Sequence, residues 1–322
     1  MCKYTKCLRL SIASAQKKFK IVIIMACKIL KFAIFGNEYQ SKKSASIDRI
    51  LDYLYARRAE VYIERAFYEF LQRNREENIK ATGVFEAYNF DVDYVLSIGG
   101  DGTFLKAASM VGAKGTPIMG INMGRLGFLA DVLPSEIEQA LDALYQDNFR
   151  IENHTVICLQ TDGETLEGNP FALNDIAVLK RDTASMITIH TKVNGDFLVN
   201  YQADGLIVST PTGSTAYNLS NGGPIIVPQS GSLCLTPVAP HSLNIRPIVI
   251  NDTSVVELQV ESRSHNFLVA IDGRSEKLLE TTRLTISKAP YTIRIIKQQG
   301  KRYFSTLREK LLWGADQRQQ NP

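Results

Sequence analysis

From Ile29 to Tyr145, short apolar runs alternate with stretches in which apolar residues recur every three or four positions. Ile29 to Gly36 reads as a strand closing on a glycine turn. Ser46 then stands where it would cap a helix that carries Ile47, Ile50, Leu51 and Leu54 on one face. The strand signal returns at Glu60 to Glu64 and the helical one at Arg65 to Arg73. Tyr94 to Ile98 is an apolar run closed by Gly99 and Gly100, with a helix expected from Thr103. Pro117 to Asn122 predicts a further buried strand, and Pro134 to Tyr145 a helix with Ile137, Leu141 and Leu144 on one face. Strands alternating with helices predict an α/β domain with a parallel sheet covered on both sides.

After about residue 150 the pattern changes to alternating β-branched residues, broken by Asp162-Gly163, Asn194-Gly195 and Asp272-Gly273, pairs that favour tight hairpins. Thr155 to Leu159, Ser254 to Glu261 and Tyr291 to Lys297 are representative strands of this mostly β half. Only Gly213 to Leu219 and Phe304 to Leu312 carry a helical pattern. The expected layout is a leader over 1–28, an α/β domain over 29–148 and a β-rich domain over 149–303. A last helix within 304–322 is expected to pack back on the first domain.

A length of 322 residues suits two domains, and 45% hydrophobic with 22% charged residues suits a globular protein. The net charge of +4 first suggests a polyanion partner. Eight lysines and arginines, however, crowd the first 31 residues without one acidic residue, and those eight leave the rest of the chain at −4. A basic stripe interleaved with aromatics is absent, so nucleic acid is not the expected partner. The basic leader ends in the apolar run Ile21 to Cys27, too short for an ordinary secretion signal. Ile24-Met25-Ala26-Cys27 faintly matches a lipoprotein cleavage site, whereas translation from Met25 would remove the leader altogether. Five cysteines without a CxxC pair suit the reducing cytoplasm, and four isolated histidines show no metal-ligand spacing. Neither a protein-held metal nor a membrane is expected.

Gly99-Gly100-Asp101-Gly102-Thr103 lies where a buried strand gives way to a helix, the place where open parallel sheets bind ligands. Three glycines present backbone N–H groups to an anion, and Asp101 is the loop's one carboxylate. The competing explanation is that Asp101 only caps the helix. Asp204-Gly205-Leu206-Ile207-Val208-Ser209-Thr210-Pro211-Thr212-Gly213-Ser214-Thr215-Ala216-Tyr217-Asn218-Leu219-Ser220 is a buried strand delivering a hydroxyl-rich turn into a helix start, where free N–H groups can meet adenine or phosphate. Hydroxyls that merely cap that helix are the alternative. Tyr217 adds a ring for stacking.

These two segments, with Asn122-Met123-Gly124-Arg125-Leu126-Gly127-Phe128-Leu129 and the pair Asn174-Asp175, resemble the NAD kinase family, and the resemblance runs from about Lys31 to Leu312. It implies a Rossmann-like α/β half and a β-rich half that binds NAD. The implied reaction moves the terminal phosphoryl group of ATP, or of another nucleoside triphosphate or polyphosphate, to the 2′-hydroxyl of the adenosine ribose. Mg2+ would accompany the donor, and Asp101 would be the general base. The same resemblance implies that Asn174 and Asp175 hold ribose hydroxyls. Gly102, Lys106, Asp204, Thr215, Ala216, Tyr217, Asn218, Leu219 and Ser220 would line the nucleotide site, with Gly99, Gly100, Thr103, Gln202 and Ser214 beside them. Gln202 departs from the basic residue common at its position, and Lys106 can supply that charge instead. Similar enzymes are homodimers or homotetramers, so self-association through the β-rich half is expected. A GxGxxG dinucleotide fingerprint is missing, which argues against a dehydrogenase, and a P-loop and a protein-kinase motif set are missing too. A lipid kinase would not need the Thr210 to Ser220 run, and a non-catalytic NAD sensor would bind without turnover.

Overall fold

A computed structural model describes residues 29–37, 44–74, 79–124, 126–181, 185–300 and 303–313. The leader therefore lies outside the described residues. The first half runs β1 (Lys31–Gly36), α1 (Ser44–Ala56), β2 (Glu60–Glu64), α2 (Arg65–Arg73), β3 (Gly83–Phe85), β4 (Tyr94–Gly99), α3 (Asp101–Val111), β5 (Ile118–Asn122) and α4 (Ile137–Tyr145). Its strands are parallel, in the order β3-β2-β1-β4-β5. Every residue of β4 and β5 is buried, as befits strands covered on both faces. Ile34 packs with Ile47, Ile50 and Leu54 of α1, Phe67 of α2 and Leu141 of α4. Its neighbours Ala33 and Phe35 point the other way, onto Phe104, Ala107 and Val111 of α3. That period-two split puts α3, with the glycine-aspartate loop at its head, on the face turned toward the second half.

The second half contains β6 (Phe149–Asp162), β7 (Phe171–Ala172), β8 (Asp175–Leu179), β9 (Ile187–Val193), β10 (Asp196–Ala203), β11 (Gly205–Ser209), α5 (Tyr217–Ser220), β12 (Ser232–Val238), β13 (Ile248–Asn251), β14 (Val256–Glu261), β15 (Asn266–Ile271), β16 (Arg274–Leu279) and β17 (Arg283–Gln298); α6 (Tyr303–Leu311) follows. β17 runs parallel beside β5 at Ile295 and Ile118 and antiparallel along β6, so one hydrogen-bonded sheet passes from the α/β half into the β half. A second, antiparallel sheet has the order β13-β12-β11-β8-β15-β16. Strands that face water on one side alternate strictly: in β14, Val256, Leu258 and Val260 are buried and the residues between them exposed. The two sheets enclose a core built from Ile189, Tyr201, Leu206, Val208, Leu258 and Phe267.

Several expected elements shift for local reasons. The helix after Gly100 starts at Asp101, two residues earlier than Thr103, and α1 starts at Ser44, ahead of the Ser46 cap. Pro134 to Glu136 forms a separate 3₁₀ turn in front of α4. Gly213 to Leu219 is not one helix: a 3₁₀ turn over Gly213–Thr215 breaks at Ala216 (φ −100°, ψ −126°) before the single turn α5. Asn194-Gly195 and Asp272-Gly273 make the expected tight hairpins, both residues of each pair at positive φ. Asp162-Gly163 does not. Gly163 sits at φ 131° and the chain enters a longer loop. That loop docks on the β15–β16 hairpin, where Glu164 accepts the Leu279 N–H and Glu276 accepts those of Glu167 and Gly168.

Candidate active site

Asp101 opens α3 one position past the N-cap, which is Gly100. The carboxylate reaches across to the next loop. Oδ2 accepts the Phe128 N–H at 3.0 Å, and Oδ1 accepts those of Leu129 and Ala130 at 3.1 and 3.0 Å. The capping explanation therefore gives way to a latch between the first two glycine-rich segments. Gly127 is part of that latch, because a Cβ there would sit 2.9 Å from Asp101 Cγ and from the Ala130 carbonyl. Gly99 packs against the Thr103 side chain, whereas Gly100 and Gly102 face open space. Space over those two glycines is what a phosphate or ribose needs to approach the carboxylate.

A second carboxylate organises the facing turn. Asp272, at the β15–β16 hairpin, accepts the N–H groups of Leu173 and Asn174 at 2.8 Å and of Asp175 at 3.1 Å. The segment carrying Asn174 and Asp175 is fixed further by Thr210, which donates its hydroxyl to the Leu173 carbonyl and its N–H to that of Asn174. Gly213 lies flat on the Asn174 backbone, where any Cβ would collide. Among the buried side-chain atoms, Asn174 Oδ1 has no hydrogen-bond partner. Burial, reinforced by the charge of Asp272, pushes the Asp175 carboxyl up to about 7. Burial likewise raises Asp272, partly offset by its three N–H donors.

The hydroxyl-rich turn divides by role. Ser214 is fully buried; its hydroxyl donates to the Pro211 carbonyl at 2.6 Å and accepts the Ile226 N–H at 3.0 Å. Asn218 is fully buried too, donating to the carbonyls of Ser214 and Pro224 and accepting from Thr236. These two staple the turn, so capping and stapling account for part of its hydroxyl density. Thr215, Ala216 and Leu219 are half-buried, while Tyr217 and Ser220 are exposed. Their surface is the one a ligand can reach.

Two depressions bracket Asp101. One, a shallow cavity of about 350 Å³, joins Gly102 and Lys106 to Asp272 and Arg274. In it, Lys106 Nζ stands 3.3 Å from Glu64 Oε1. The other is lined by Phe128, Leu129, Thr212, Thr215, His154 and Tyr303. Buried polar groups form its floor. Lys297 pairs with Asp131 at 2.8 Å and donates to the Phe128 carbonyl at 3.3 Å, and His154 bridges Thr212 (2.7 Å) and Glu152 (3.3 Å). Burial holds the His154 imidazole below its usual pKa, against the opposing pull of Glu152. Hence the Phe128 loop and the Thr212 turn rest on one polar foundation.

Gln202 and Asp204 are elsewhere. Asp204 precedes β11 and pairs with Lys180 at 2.7 Å, at the end of β8 and β11 opposite Asp175 and Ser209. Five residues of strand separate the two ends, roughly 17 Å. Within one chain the fold therefore gathers Asp101, Gly102, Lys106, Asn174, Asp175 and Thr215 on one side and leaves Gln202 and Asp204 on another. The site contacts of Asp272 and of Lys310, whose ammonium lies 3.4 Å from Asp101, were invisible in the sequence because each acts across a long chain separation. Among the described residues no group of three or more His, Cys, Asp or Glu side chains can hold a metal.

A carboxylate latched above a parallel sheet, beside a hydroxyl-rich turn on an antiparallel one, is an arrangement suited to phosphoryl transfer on a nucleotide. Residues 32–149 match the model of the ATP-NAD kinase N-terminal domain and residues 173–298 that of the C-terminal domain. The chain belongs to the NAD kinase family. An NAD kinase of Bacteroides fragilis is 57% identical over 289 residues, which cover 90% of this chain and 100% of the relative. One of Porphyromonas gingivalis is 42% identical over 285 residues, 88% of this chain and 98% of the relative. Among solved structures, an Archaeoglobus fulgidus NAD kinase in complex with ATP aligns at TM-score 0.68 and 27% identity, covering 87% of this chain and 99% of that one. Yeast NADH kinase complexed with NADH aligns at TM-score 0.81 and 19% identity over 89% of each chain, a likeness of fold.

Proposed function

We propose that this kinase transfers the terminal phosphoryl group of ATP, presented as its magnesium complex, to the 2′-hydroxyl of the adenosine ribose of NAD, with Asp101 as general base. The observation that carries the proposal is the Asp101 carboxylate, fixed by three N–H groups beside two glycines that open onto free space. A ribose hydroxyl is a weak nucleophile at neutral pH. A carboxylate that accepts its hydrogen bond orients it and takes the proton as the bond to phosphorus forms. Magnesium is held largely by the substrate phosphates with one or two protein carboxylates. The ATP bound to the archaeal relative supports the choice of donor.

In this reading Asn174 and Asp175 hold ribose hydroxyls, the unpartnered Asn174 Oδ1 being the free acceptor. Thr215, Ala216 and Tyr217 take the adenine, with Leu219 and Ser220 at its edge and Ser214 and Asn218 holding the turn. Gly99, Gly100, Gly102 and Thr103 shape the phosphate loop, and Lys106 lends it charge. Gln202 and Asp204 reach a nucleotide only if a second copy brings them to it, consistent with a homodimer or homotetramer joined through the β-rich half. The enzyme works in the cytoplasm. No described helix is long and apolar enough to cross a membrane. The direct test is a coupled NADP assay on purified protein with NAD and Mg-ATP, repeated with other triphosphates and polyphosphate. Background turnover with every donor, at retained NAD binding, would make the protein a sensor instead.

A further inference from the structure

Lys310 belongs to no motif, yet α6 carries its ammonium to 3.4 Å from Asp101 Oδ2 and 4.4 Å from the centre of the Phe128 ring. A structural strut is a poor explanation of this contact. Both side chains are about one-third exposed, and an ion pair so open and so long contributes little to stability. The arithmetic of the carboxylate points elsewhere. It has about four acceptor positions, and three are filled by backbone N–H groups. Lys310 stands at the fourth, on Oδ2, at a distance well beyond the 2.7–2.9 Å of a tight charge-assisted bond. An acceptor hydroxyl bound to Asp101 must take that same position.

We propose that Lys310 contacts the phosphoryl group in transfer: the hydroxyl replaces it on Asp101, and the ammonium, still held over the Phe128 ring, turns onto an oxygen of the donor phosphate. The proposal rests on Asp101 being the base. The hydroxyl proton passes to Asp101 as the ribose oxygen bonds to the terminal phosphorus. The bond from that phosphorus to the bridging oxygen breaks, and ADP leaves with the electron pair. Lys310 keeps its proton throughout. A hydroxyl oxygen within hydrogen-bond reach of Oδ2 places the phosphorus within roughly 6 Å of the ammonium, so one side-chain rotation brings the charge to oxygens that become more negative during transfer. Lysine suits the task as a mobile point charge that needs no fixed geometry.

Lys310→Met, Lys310→Arg and Asp101→Asn of the full chain are compared for kcat, KM of ATP, equilibrium NAD affinity and melting temperature. Lys310→Met should lower kcat about ten- to a hundredfold and raise the KM of ATP, with NAD affinity and melting temperature near wild type. Lys310→Arg should recover most of the loss. Wild-type kinetics in Lys310→Met beside an inactive Asp101→Asn would overturn the role of Lys310 alone. An active Asp101→Asn would instead overturn the base on which it rests. A lowered melting temperature with unchanged kcat would make Lys310 a strut, and a raised kcat would make it an autoinhibitory plug; either result ends the proposal.

Discussion

Asp272→Asn probes the least conspicuous part of the site. The carboxylate holds three backbone donors, Leu173 on Oδ2 and Asn174 and Asp175 on Oδ1. An asparagine that keeps its oxygen in the place of Oδ1 retains two of them and turns an NH2 group toward the Leu173 N–H. A lost charge-assisted bond at a buried donor costs about 1.5–3 kcal/mol. Part of that returns, because the charge of Asp272 raises the Asp175 pKa and the substitution removes it. The net expectation is a destabilisation of about 1–2 kcal/mol, read as the shift of the urea midpoint. Function should suffer more than stability. The released backbone carries Asn174 and the contact to Gly213, so NAD affinity by calorimetry should fall at least tenfold. A variant with wild-type midpoint and wild-type NAD affinity would refute the clamp.

Gly127→Ala should lower kcat at least tenfold without touching a charge, because its Cβ has no room beside Asp101 and the Ala130 carbonyl; full activity would mean that the latch tolerates movement. Tyr217 is 40% exposed, so Tyr217→Ala should raise the KM of NAD with little change in kcat or melting temperature. A lowered melting temperature at constant KM would remove the ring from the site. Asp175, raised to about 7, keeps in the folded state a proton that the unfolded chain gives up near its ordinary pKa of 3.8. Its stabilising contribution is full below about pH 4 and is lost as pH rises through 7, on the order of a few kcal/mol. Urea midpoints of Asp175→Asn at pH 5 and 8 should differ less than those of wild type, and an equal difference would contradict the shift.

The parts legible in the sequence are those whose cause is local. Period-two and period-3.6 patterns announced the alternating strands and helices, and Asn194-Gly195 and Asp272-Gly273 announced their hairpins because only φ > 0 residues close them. The glycine-aspartate loop and the Thr210 to Ser220 run were legible as candidate chemistry for the same reason. What Asp101 and Asp272 hold was not, since their partners lie 27 to 29 and 97 to 99 residues away in the chain. Asp162-Gly163 misled because the loop behind it is organised by Glu276, a distant residue that outweighs the turn propensity of the pair. Asp272 was read as a turn residue and proved to be one, yet its carboxylate serves the site as well.

The most direct measurement is turnover of Asp101→Asn with NAD and Mg-ATP, taken with NAD affinity and melting temperature. The amide keeps Leu129 and Ala130 on its oxygen and turns its NH2 toward the Phe128 N–H, so a loss of about 1–3 kcal/mol of stability is expected from the latch alone. Basicity is lost altogether. A general base predicts a kcat at least a hundredfold lower with NAD still bound within several-fold of wild type. A kcat within a few-fold of wild type would leave Asp101 a latch for the Phe128 loop and nothing more.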